Sequence, residues 1–302
     1  MSLTLAAPAK INLTLEVLRR RDDGYHEVAS VLQTIALADT LSLEQDEELT
    51  LQCNIPELSG AENSVLRAAC LLREETACPR GARLRLRKRI PLGQGLGGHS
   101  TNEAVTLRGL NELWGLGLSA HELARLATKL SSDAGFFLHG GTALARGRGE
   151  LVTPLPPLPQ TWLVLLTPHI EVPAAKTKRL YSQLTPSQFT PGELSQRFAH
   201  HPPQGLAALE EAMFNVFEAV AFDSFPGLDR YRRHLIAAGA SRVHLAGSGP
   251  ALFALVPQRA QGEELLGHLE KAGLGGYLLS TAPPHAPLAQ IQGEPCPHSE
   301  PS

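Results

Sequence analysis

A glycine-rich loop, Pro91–Asn102, carries the residue types best suited to chemistry in this sequence. Four of the six positions from Gly93 to Gly98 are glycine, so the backbone can adopt positive φ angles and approach a ligand closely. A helix is predicted directly after the loop, and its free N–H groups and positive dipole end favour an anion. Ser100 and Thr101 add hydroxyl groups that can donate to phosphate or bind magnesium. The pattern predicts a phosphate-binding loop. The alternative is a tight strand-to-helix turn, which needs fewer glycines.

Three known motifs do not explain this loop. Gly93, Gly95 and Gly98 have the spacing of the dinucleotide-binding fingerprint, but the following helix leads into a second helix rather than a parallel strand. A Walker A loop requires a lysine before its hydroxyl residue, and this loop has none. A nucleophile elbow requires glycine two residues after its serine, where this sequence has Asn102. The loop is therefore predicted to bind phosphate in another way.

A second group of polar residues lies in a segment of alternating hydropathy. From Leu5 to Leu18, polar residues that include Lys10 and Asn12 share one parity and aliphatic residues share the other. This period of two predicts a half-buried strand. Lys10 and Asn12 would then project from the same face, ~7 Å apart.

The rest of the chain is predicted to alternate strands and helices. A strand is predicted over Arg83–Ile90 and a helix from about Thr101 to Trp114. Ser119 and Glu122 form a capping box that opens a second helix, predicted to end at 131–133. Further strands are predicted over 31–37, 40–43, 142–145, 162–166, 242–246, 251–256 and 276–280, and further helices over 63–74, 206–220, 228–238 and 261–272. Two layers of alternating elements suggest an α+β fold.

A proline-rich stretch, Val152–Thr161, is the predicted boundary between two domains. Its four prolines are typical of a linker. We predict an N-terminal domain over 1–153 and a C-terminal domain over 160–280. The tail over 281–302 has six prolines and few apolar residues, so it is predicted to be disordered.

Composition excludes several classes of protein. The 302 residues contain 27 basic and 30 acidic side chains, a formal charge of −3, which argues against a dedicated nucleic-acid-binding protein. The apolar runs are strand-sized, and the N-terminus does not resemble a signal peptide, so we expect a cytoplasmic protein without membrane association. The four cysteines lack C-x-x-C spacing, so neither a zinc site nor a disulfide framework is predicted.

The glycine loop resembles the P-x-x-x-G-L-G-S-S-A-A signature of the GHMP kinases, the superfamily that includes galactokinase, homoserine kinase and mevalonate kinase. Other segments are similar to further motifs of this superfamily: Pro8–Leu13, Gly140–Gly149, Asn215–Glu218 and Ala246–Phe253. The resemblance covers about residues 5–280.

The resemblance implies a fold and an activity. The fold would have an N-terminal domain similar to ribosomal protein S5 domain 2 and a ferredoxin-like C-terminal domain, with the nucleotide between them. The activity would be phosphorylation of an alcohol by ATP with Mg²⁺. The turn Arg20–Glu27 resembles that of the member acting on cytidine-diphospho-methylerythritol in the non-mevalonate isoprenoid route. The implied substrate is therefore this small molecule.

The resemblance also implies catalytic roles. Asp133 would orient the attacking hydroxyl and take its proton. Lys10 would stabilise charge on the γ-phosphate and hold Asp133 ionised, and Asn12 would hydrogen-bond to the hydroxyl. The alternatives are a solvated residue at a helix end for Asp133 and an ordinary strand lysine for Lys10. A carboxylate at a helix C-terminus faces the unfavourable end of the dipole, which weakens the first alternative.

Binding residues are implied in the same way. The ATP phosphates would be held by Pro91, Gly93, Gly95, Leu96, Gly97, Gly98, Ser100 and Thr101, and Ser100 would also bind magnesium. Tyr25 and His26 would hold the cytosine, with Tyr181 as a candidate for its second wall, and Gly247, Ser248 and Gly249 would lie near the substrate phosphates. The alternatives are that Tyr25 packs on the core and that the Gly247–Gly249 turn is a plain hairpin turn.

Several residues depart from the superfamily pattern, and Gln94 is one unusual residue among them. His99 stands where a glycine is usual, Glu103 where alanine is usual, and Gly135 where proline is usual. Glu103 suits the positive end of a helix but repels an anion unless magnesium intervenes. Two alternatives therefore stay open: another GHMP kinase with a different alcohol, and a nucleotide-binding homologue with impaired catalysis. A nicotinamide oxidoreductase is a more distant one. We expect a monomer or a weak homodimer.

Overall fold

A computed structural model describes residues 2–173 and 175–284. The prediction of a disordered tail was wrong for residues 281–284, because Thr281 and Pro284 form bridges with Ile35 and Gly140. The rest of the predicted tail, from position 285 onward, lies outside the described residues. The strands are β1 (Ser2–Arg20), β2 (His26–Asp46), β3 (Leu49–Cys53), β4 (Gly81–Arg87), β5 (Thr142–Gly147), β6 (Leu151–Pro154), β7 (Trp162–Leu166), β8 (Phe214–Asn215), β9 (His244–Leu245), β10 (Leu252–Val256) and β11 (Gly276–Ser280).

The helices lie between these strands along the chain, singly or in runs of two or three. They are α1 (Ser64–Thr76), α2 (Gly98–Leu113), α3 (Ala120–Leu130), α4 (Ala134–His139), α5 (Lys176–Gln183), α6 (Glu193–His200), α7 (Leu206–Ala212), α8 (Glu218–Ser224), α9 (Leu228–Ala237) and α10 (Arg259–Lys271), with short 3₁₀ helices at Pro56–Leu58 and Pro186–Gln188. None of the helices in the described ranges has the length and hydropathy needed to cross a bilayer.

The described strands form two sheets. The first has the order β3-β4-β2-β1-β8, with β5 beside β2 and β6 beside β5. The second has the order β11-β7-β10-β9 and is antiparallel throughout. Helices pack on both sheets, so the prediction of an α+β fold is confirmed.

The two sheets share a hydrophobic core. Ile11 and Leu13 of β1 belong to one buried cluster with Leu165 of β7 and Phe253 of β10. Helices α1, α2 and α3 cover the first sheet through a separate cluster. Residues 7–17 of β1 are buried on both faces. The prediction of a half-buried strand was wrong because α6 covers part of its polar side, where Ser195 contacts Thr14 and Glu16.

Three elements differ from their predicted bounds because residues far away in the sequence contact them. The strands predicted over 31–37 and 40–43 are one continuous strand, β2, because both parts pair with β1. β4 ends at Arg87 rather than Ile90, because the Asp39 carboxylate accepts the N–H groups of Arg89 and Ile90 at 2.7 and 2.8 Å. The helix predicted over 206–220 is interrupted where β8 pairs with β1. Tertiary pairing overrides local helix propensity at this point.

Candidate active site

The phosphate loop leads directly into α2. The predicted helix start at Thr101 was wrong by three residues: α2 begins at Gly98, and Gly97 takes the left-handed conformation with φ of 72°. Ser100 and Thr101 therefore lie in the first turn of the helix. The N–H groups of residues 98–100 precede the first intrahelical bond, which runs from Thr101 to Gly97, so they are available to an anion.

Two glycine-containing segments, the phosphate loop and the Gly247–Gly249 turn, pack closely against each other. Gly95 has φ of 83°, and a Cβ atom there would lie 2.2 Å from the Ala246 carbonyl oxygen and 2.9 Å from the Gly249 nitrogen. A Cβ atom on Gly247 would lie 2.9 Å from Lys10 Nζ. The absence of side chains at these positions therefore lets the loop, the Gly247–Gly249 turn and Lys10 meet. This close approach is more than a plain hairpin turn requires.

Lys10 and Asn12 share one face of β1, as predicted. Lys10 is buried, and its ammonium donates to Asn12 Oδ1 at 2.8 Å. The same ammonium lies 3.6 Å from Asp133 Oδ2. Asn12 Nδ2 donates to Ser30 Oγ at 2.7 Å, which fixes the orientation of the amide. Opposite charges and a neutral amide therefore meet beside the phosphate loop.

Asp133 lies at the start of a short helix rather than at the end of one. α3 ends at Leu130, and Asp133 is the N-cap residue of α4, with no capping hydrogen bond from its side chain. The prediction that Asp133 ends a helix and faces its negative pole was wrong, because the following residues begin a new helix. The carboxylate is left free to face the cavity described next.

A large cavity extends to both sides of the cluster formed by Lys10, Asn12 and Asp133. Its volume is about 1410 Å³, more than a single drug-sized ligand requires. Beside the phosphate loop it is lined by Leu58, Asn63 and Lys88, and the buried Lys88 ammonium is paired with Asp39. On the other side of Lys10, the cavity is lined by the aromatic residues described in the next paragraph. The cavity can therefore hold a nucleotide on one side and a second ligand on the other.

The aromatic group contains both residues of the predicted cytosine site. Tyr25 is 53% exposed, so the alternative that it packs on the core was wrong, and the Arg148 guanidinium lies 4.8 Å from its ring centre. His26 stacks on Tyr181 with ring centres 4.7 Å apart, while Phe217 meets the edge of Tyr181. Burial lowers the pKa of His26 and raises that of Tyr181. Tyr181 lines the cavity and has one ring face stacked on His26.

Two of the departures from the superfamily pattern, His99 and Glu103, lie in a polar cluster at the loop. The Ser131 hydroxyl lies 2.9 Å from Ser100 Oγ and 2.5 Å from Glu103 Oε2. His99 Nε2 lies 3.2 Å from Glu103 Oε1, and the His99 side chain is 60% exposed. Burial is the largest cause of the raised pKa of Glu103. The buried Thr101 Oγ1 has no hydrogen-bond partner.

Three residues at the Gly247–Gly249 turn were not predicted from the sequence pattern alone. Lys176 donates to the Gly249 carbonyl, and burial, with a smaller effect from Lys10, lowers its pKa to about 7. Asn215 donates to the Leu245 and Gly247 carbonyls at 2.9 and 2.8 Å. Glu218 accepts the Leu245 N–H at 3.0 Å, and its pKa is raised by burial. The resemblance included Asn215 and Glu218 without assigning them a role, and no spacing signal marks Lys176.

Sequence comparisons identify two domains and close relatives. The GHMP kinases N terminal domain matches residues 63–141, and the GHMP kinases C terminal domain matches residues 199–274. A protein of Dehalococcoides mccartyi named 4-diphosphocytidyl-2-C-methyl-D-erythritol kinase is 44% identical over 282 residues, which cover 93% of this chain and 99% of that protein. A protein of the same name from Symbiobacterium thermophilum is 41% identical, covering 90% and 97%.

Comparison with solved structures agrees with the sequence comparisons. A crystal structure of 4-(cytidine 5'-diphospho)-2C-methyl-D-erythritol kinase superposes with a TM-score of 0.75 at 34% identity, covering 92% of this chain and 99% of that one. Homoserine kinase from Cytophaga hutchinsonii superposes with a TM-score of 0.71 at 19% identity, covering 94% and 95%, a similarity of fold alone.

Proposed function

This chain belongs to the 4-diphosphocytidyl-2-C-methyl-D-erythritol kinase family of the GHMP kinases, and from that premise we propose that it transfers the γ-phosphate of ATP to the 2-hydroxyl of 4-diphosphocytidyl-2-C-methyl-D-erythritol. This reaction would serve non-mevalonate isoprenoid biosynthesis. The observation that supports the proposal most strongly is that Lys10, Asn12 and Asp133 lie in contact between the two ends of one cavity.

The phosphates of ATP would lie at the start of α2. The free N–H groups of residues 98–100 point out of the helix there, and the Thr101 hydroxyl is buried without a partner. A Cβ atom on Gly93 would meet no atom within 4 Å apart from its chain neighbours, so that part of the loop is open. These features fit a phosphate group that supplies acceptors for the N–H and hydroxyl donors.

Chemistry would centre on Asp133. The substrate hydroxyl attacks the γ-phosphorus, the bond between that phosphorus and the bridging oxygen breaks, and ADP leaves. Asp133 accepts the hydroxyl proton. Lys10 stabilises negative charge on the transferred group, and its ammonium lies 3.6 Å from the Asp133 carboxylate. Asn12 orients the hydroxyl, and Ser30 holds Asn12 in place.

The cytidine end of the substrate would occupy the aromatic side of the cavity. The exposed ring of Tyr25 offers one face for stacking, since Arg148 covers the other. His26, held against Tyr181, would hydrogen-bond to the base. The Gly247–Gly249 turn and Lys176 would lie near the substrate diphosphate.

Ser100 would bind Mg²⁺ together with the ATP phosphates. Magnesium prefers oxygen ligands and often takes only one or two from the protein, which fits a site where the described residues form no cluster of three or more His, Cys, Asp or Glu ligands. When bound, the ion neutralises charge on the β- and γ-phosphates.

The test is ADP release with a panel of alcohols. Purified protein receives ATP and Mg²⁺ with the cytidine substrate, homoserine, mevalonate or galactose. Turnover with the cytidine substrate alone supports the proposal. Turnover with another alcohol identifies a different GHMP kinase, and ATP binding without any turnover identifies a catalytically impaired homologue.

We also expect the enzyme to act in the cytoplasm as a monomer or weak homodimer. Its near-neutral charge suits a small-molecule substrate better than a nucleic acid.

A further inference from the structure

Lys176 is a second lysine in the cavity, and it has no acidic partner. It is the first residue of α5, and it lines the cavity together with Lys10. Its amino group donates to the Gly249 carbonyl, and no carboxylate in residues 2–173 or 175–284 lies within 4 Å of it. Lysine side chains removed from water are usually paired with an anion. The charged form of Lys176 therefore lacks the partner that would stabilise it.

Burial and Lys10 both act against the charged form of Lys176. Burial has the larger effect and repulsion by Lys10 the smaller, and together they lower the pKa of Lys176 to about 7. On the neighbouring elements, Asp133 lies 3.6 Å from Lys10, and Glu218 of α8 accepts the Leu245 N–H. An anion between the two lysines would oppose both effects, because it supplies an opposite charge to each ammonium.

The start of α5 is held by a further contact that does not involve Lys176. Thr177 Oγ1 lies 3.0 Å from Ser248 Oγ, in the middle of the Gly247–Gly249 turn. This contact can keep the helix against the turn when the flexible lysine side chain moves. Lys176 can therefore exchange its carbonyl partner for a ligand without displacing α5.

The order of side chains along the cavity matches the order of groups in the cytidine substrate. Lys176 precedes Tyr181 by five residues, about 7.5 Å along the axis of α5. Tyr181 stacks on His26 at the aromatic side, whereas Lys176 is close enough to Lys10 to be repelled by it. In the substrate, a diphosphate separates the cytidine from the group that carries the reacting hydroxyl. Lys176 therefore lies where that diphosphate would pass.

We propose that Lys176 binds the diphosphate of the cytidine substrate as an ammonium ion, exchanging the Gly249 carbonyl for a phosphate oxygen when the substrate enters. Because the amino group is largely neutral above pH 7 before binding, it takes up a proton from solvent as the anion binds. The proposal rests on the proposed function, since it takes the substrate to be a cytidine diphosphate ester.

The experiment measures the binding of cytidine diphosphate (CDP) and of cytidine by calorimetry at pH 8. ADP and Mg²⁺ are present to occupy the phosphate loop. CDP carries the diphosphate and cytidine does not, so the comparison isolates the contact to phosphate. Each titration is run in two buffers of different ionisation enthalpy, which gives the number of protons taken up. A phosphate with its second pKa at about 6 is already ionised at pH 8, so CDP itself contributes few protons.

We expect Lys176→Met to weaken CDP binding roughly tenfold or more, the usual effect of losing a hydrogen bond to a charged group. Cytidine binding should not change. The wild type should take up protons with CDP, and Lys176→Met should not. Lys176→Arg should retain most of the CDP affinity without proton uptake, because a guanidinium is always charged. Lys178→Met removes an exposed charge from the same helix and should bind CDP nearly as the wild type does.

Four results would overturn the proposal. CDP affinity in Lys176→Met could equal that of the wild type, or this variant could lose CDP and cytidine equally, which indicates a structural role only. Lys178→Met could weaken CDP as much, which indicates a general effect of charge. The wild type could also take up no protons with CDP. If Lys176→Met fails to fold by thermal unfolding, proton uptake in the wild type and Lys176→Arg decides. Failure of the proposed function would differ: CDP would bind through Lys176, yet the cytidine substrate would not be phosphorylated.

Discussion

The Lys10 ammonium lies 3.6 Å from the Asp133 carboxylate, at the point where β1 passes the start of α4. Neither residue is near the other in the chain. The contact depends on Gly247, whose missing side chain leaves room for the ammonium, and on Asn12, whose Oδ1 atom accepts a hydrogen bond from the ammonium.

Lys10→Ala should lower kcat by roughly 10²–10³-fold, the usual cost of removing one donor that stabilises transition-state charge. The KM for ATP should change far less, because the α2 N–H groups still hold the phosphates. Steady-state kinetics with the cytidine substrate would measure both. Lys129→Ala, a surface lysine paired with Glu75, is the control. Normal turnover by Lys10→Ala would refute the assigned role.

Tyr25→Ala should raise the KM for the cytidine substrate and leave the KM for ATP unchanged. Base stacking on an aromatic side chain contributes about 1–3 kcal/mol, which corresponds to a KM increase of roughly 5–150-fold. Tyr25→Phe should retain most of the affinity, because the ring is kept. If both variants bind the substrate as the wild type does, the base lies elsewhere in the cavity.

Lys176 should make stability depend on pH. Its pKa is about 7 in the folded protein against 10.5 ordinarily. Between these pH values the unfolded chain holds a proton that the folded chain has released, so the free energy of unfolding rises with pH. Lys176→Met should remove this part of the increase, and Lys178→Met should not. Urea unfolding at pH 7 and pH 9 measures the difference, and identical pH responses in wild type and Lys176→Met would count against the shift.

Gly95→Ala and Gly93→Ala should behave differently although both residues have positive φ. Gly93→Ala meets open space and should cost only the left-handed strain of about 1–2 kcal/mol. Gly95→Ala places a Cβ atom 2.2 Å from the Ala246 carbonyl oxygen, so the loop must move and ADP binding should be lost. Thermal unfolding and ADP titration compare the pair. Equal effects in the two variants would mean that the close approach at Gly95 is unimportant.

Local sequence signals correctly predicted the elements whose ends are set by residues within or next to the element itself. β7 and β11 have the predicted bounds, and the Ser119 capping box opens α3 as expected. The GHMP kinase fold implied by the resemblance is confirmed by the matching domains and solved structures. The domain boundaries stay predictions, and β6 occupies the start of the proline-rich stretch.

The features that were missed depend on residues far apart in the chain. β8 exists because Asn215 and its neighbour pair with β1, and no local pattern reveals such a short parallel strand. Lys176 reaches the Gly249 carbonyl only after two segments fold together. The contact between Ser131 and Ser100 requires α2 and α3 to pack side by side. These contacts are set by tertiary packing, which periodicity does not record.

The most direct test of the central claim is Asp133→Asn, measured for both binding and chemistry. Asparagine keeps the shape of the side chain but cannot accept the hydroxyl proton as a carboxylate does. We predict that ATP and the cytidine substrate still bind, while kcat falls by roughly 10²–10⁴-fold, the range for loss of a general base. Wild-type kcat in this variant would contradict the account, because the proton would then leave by another route.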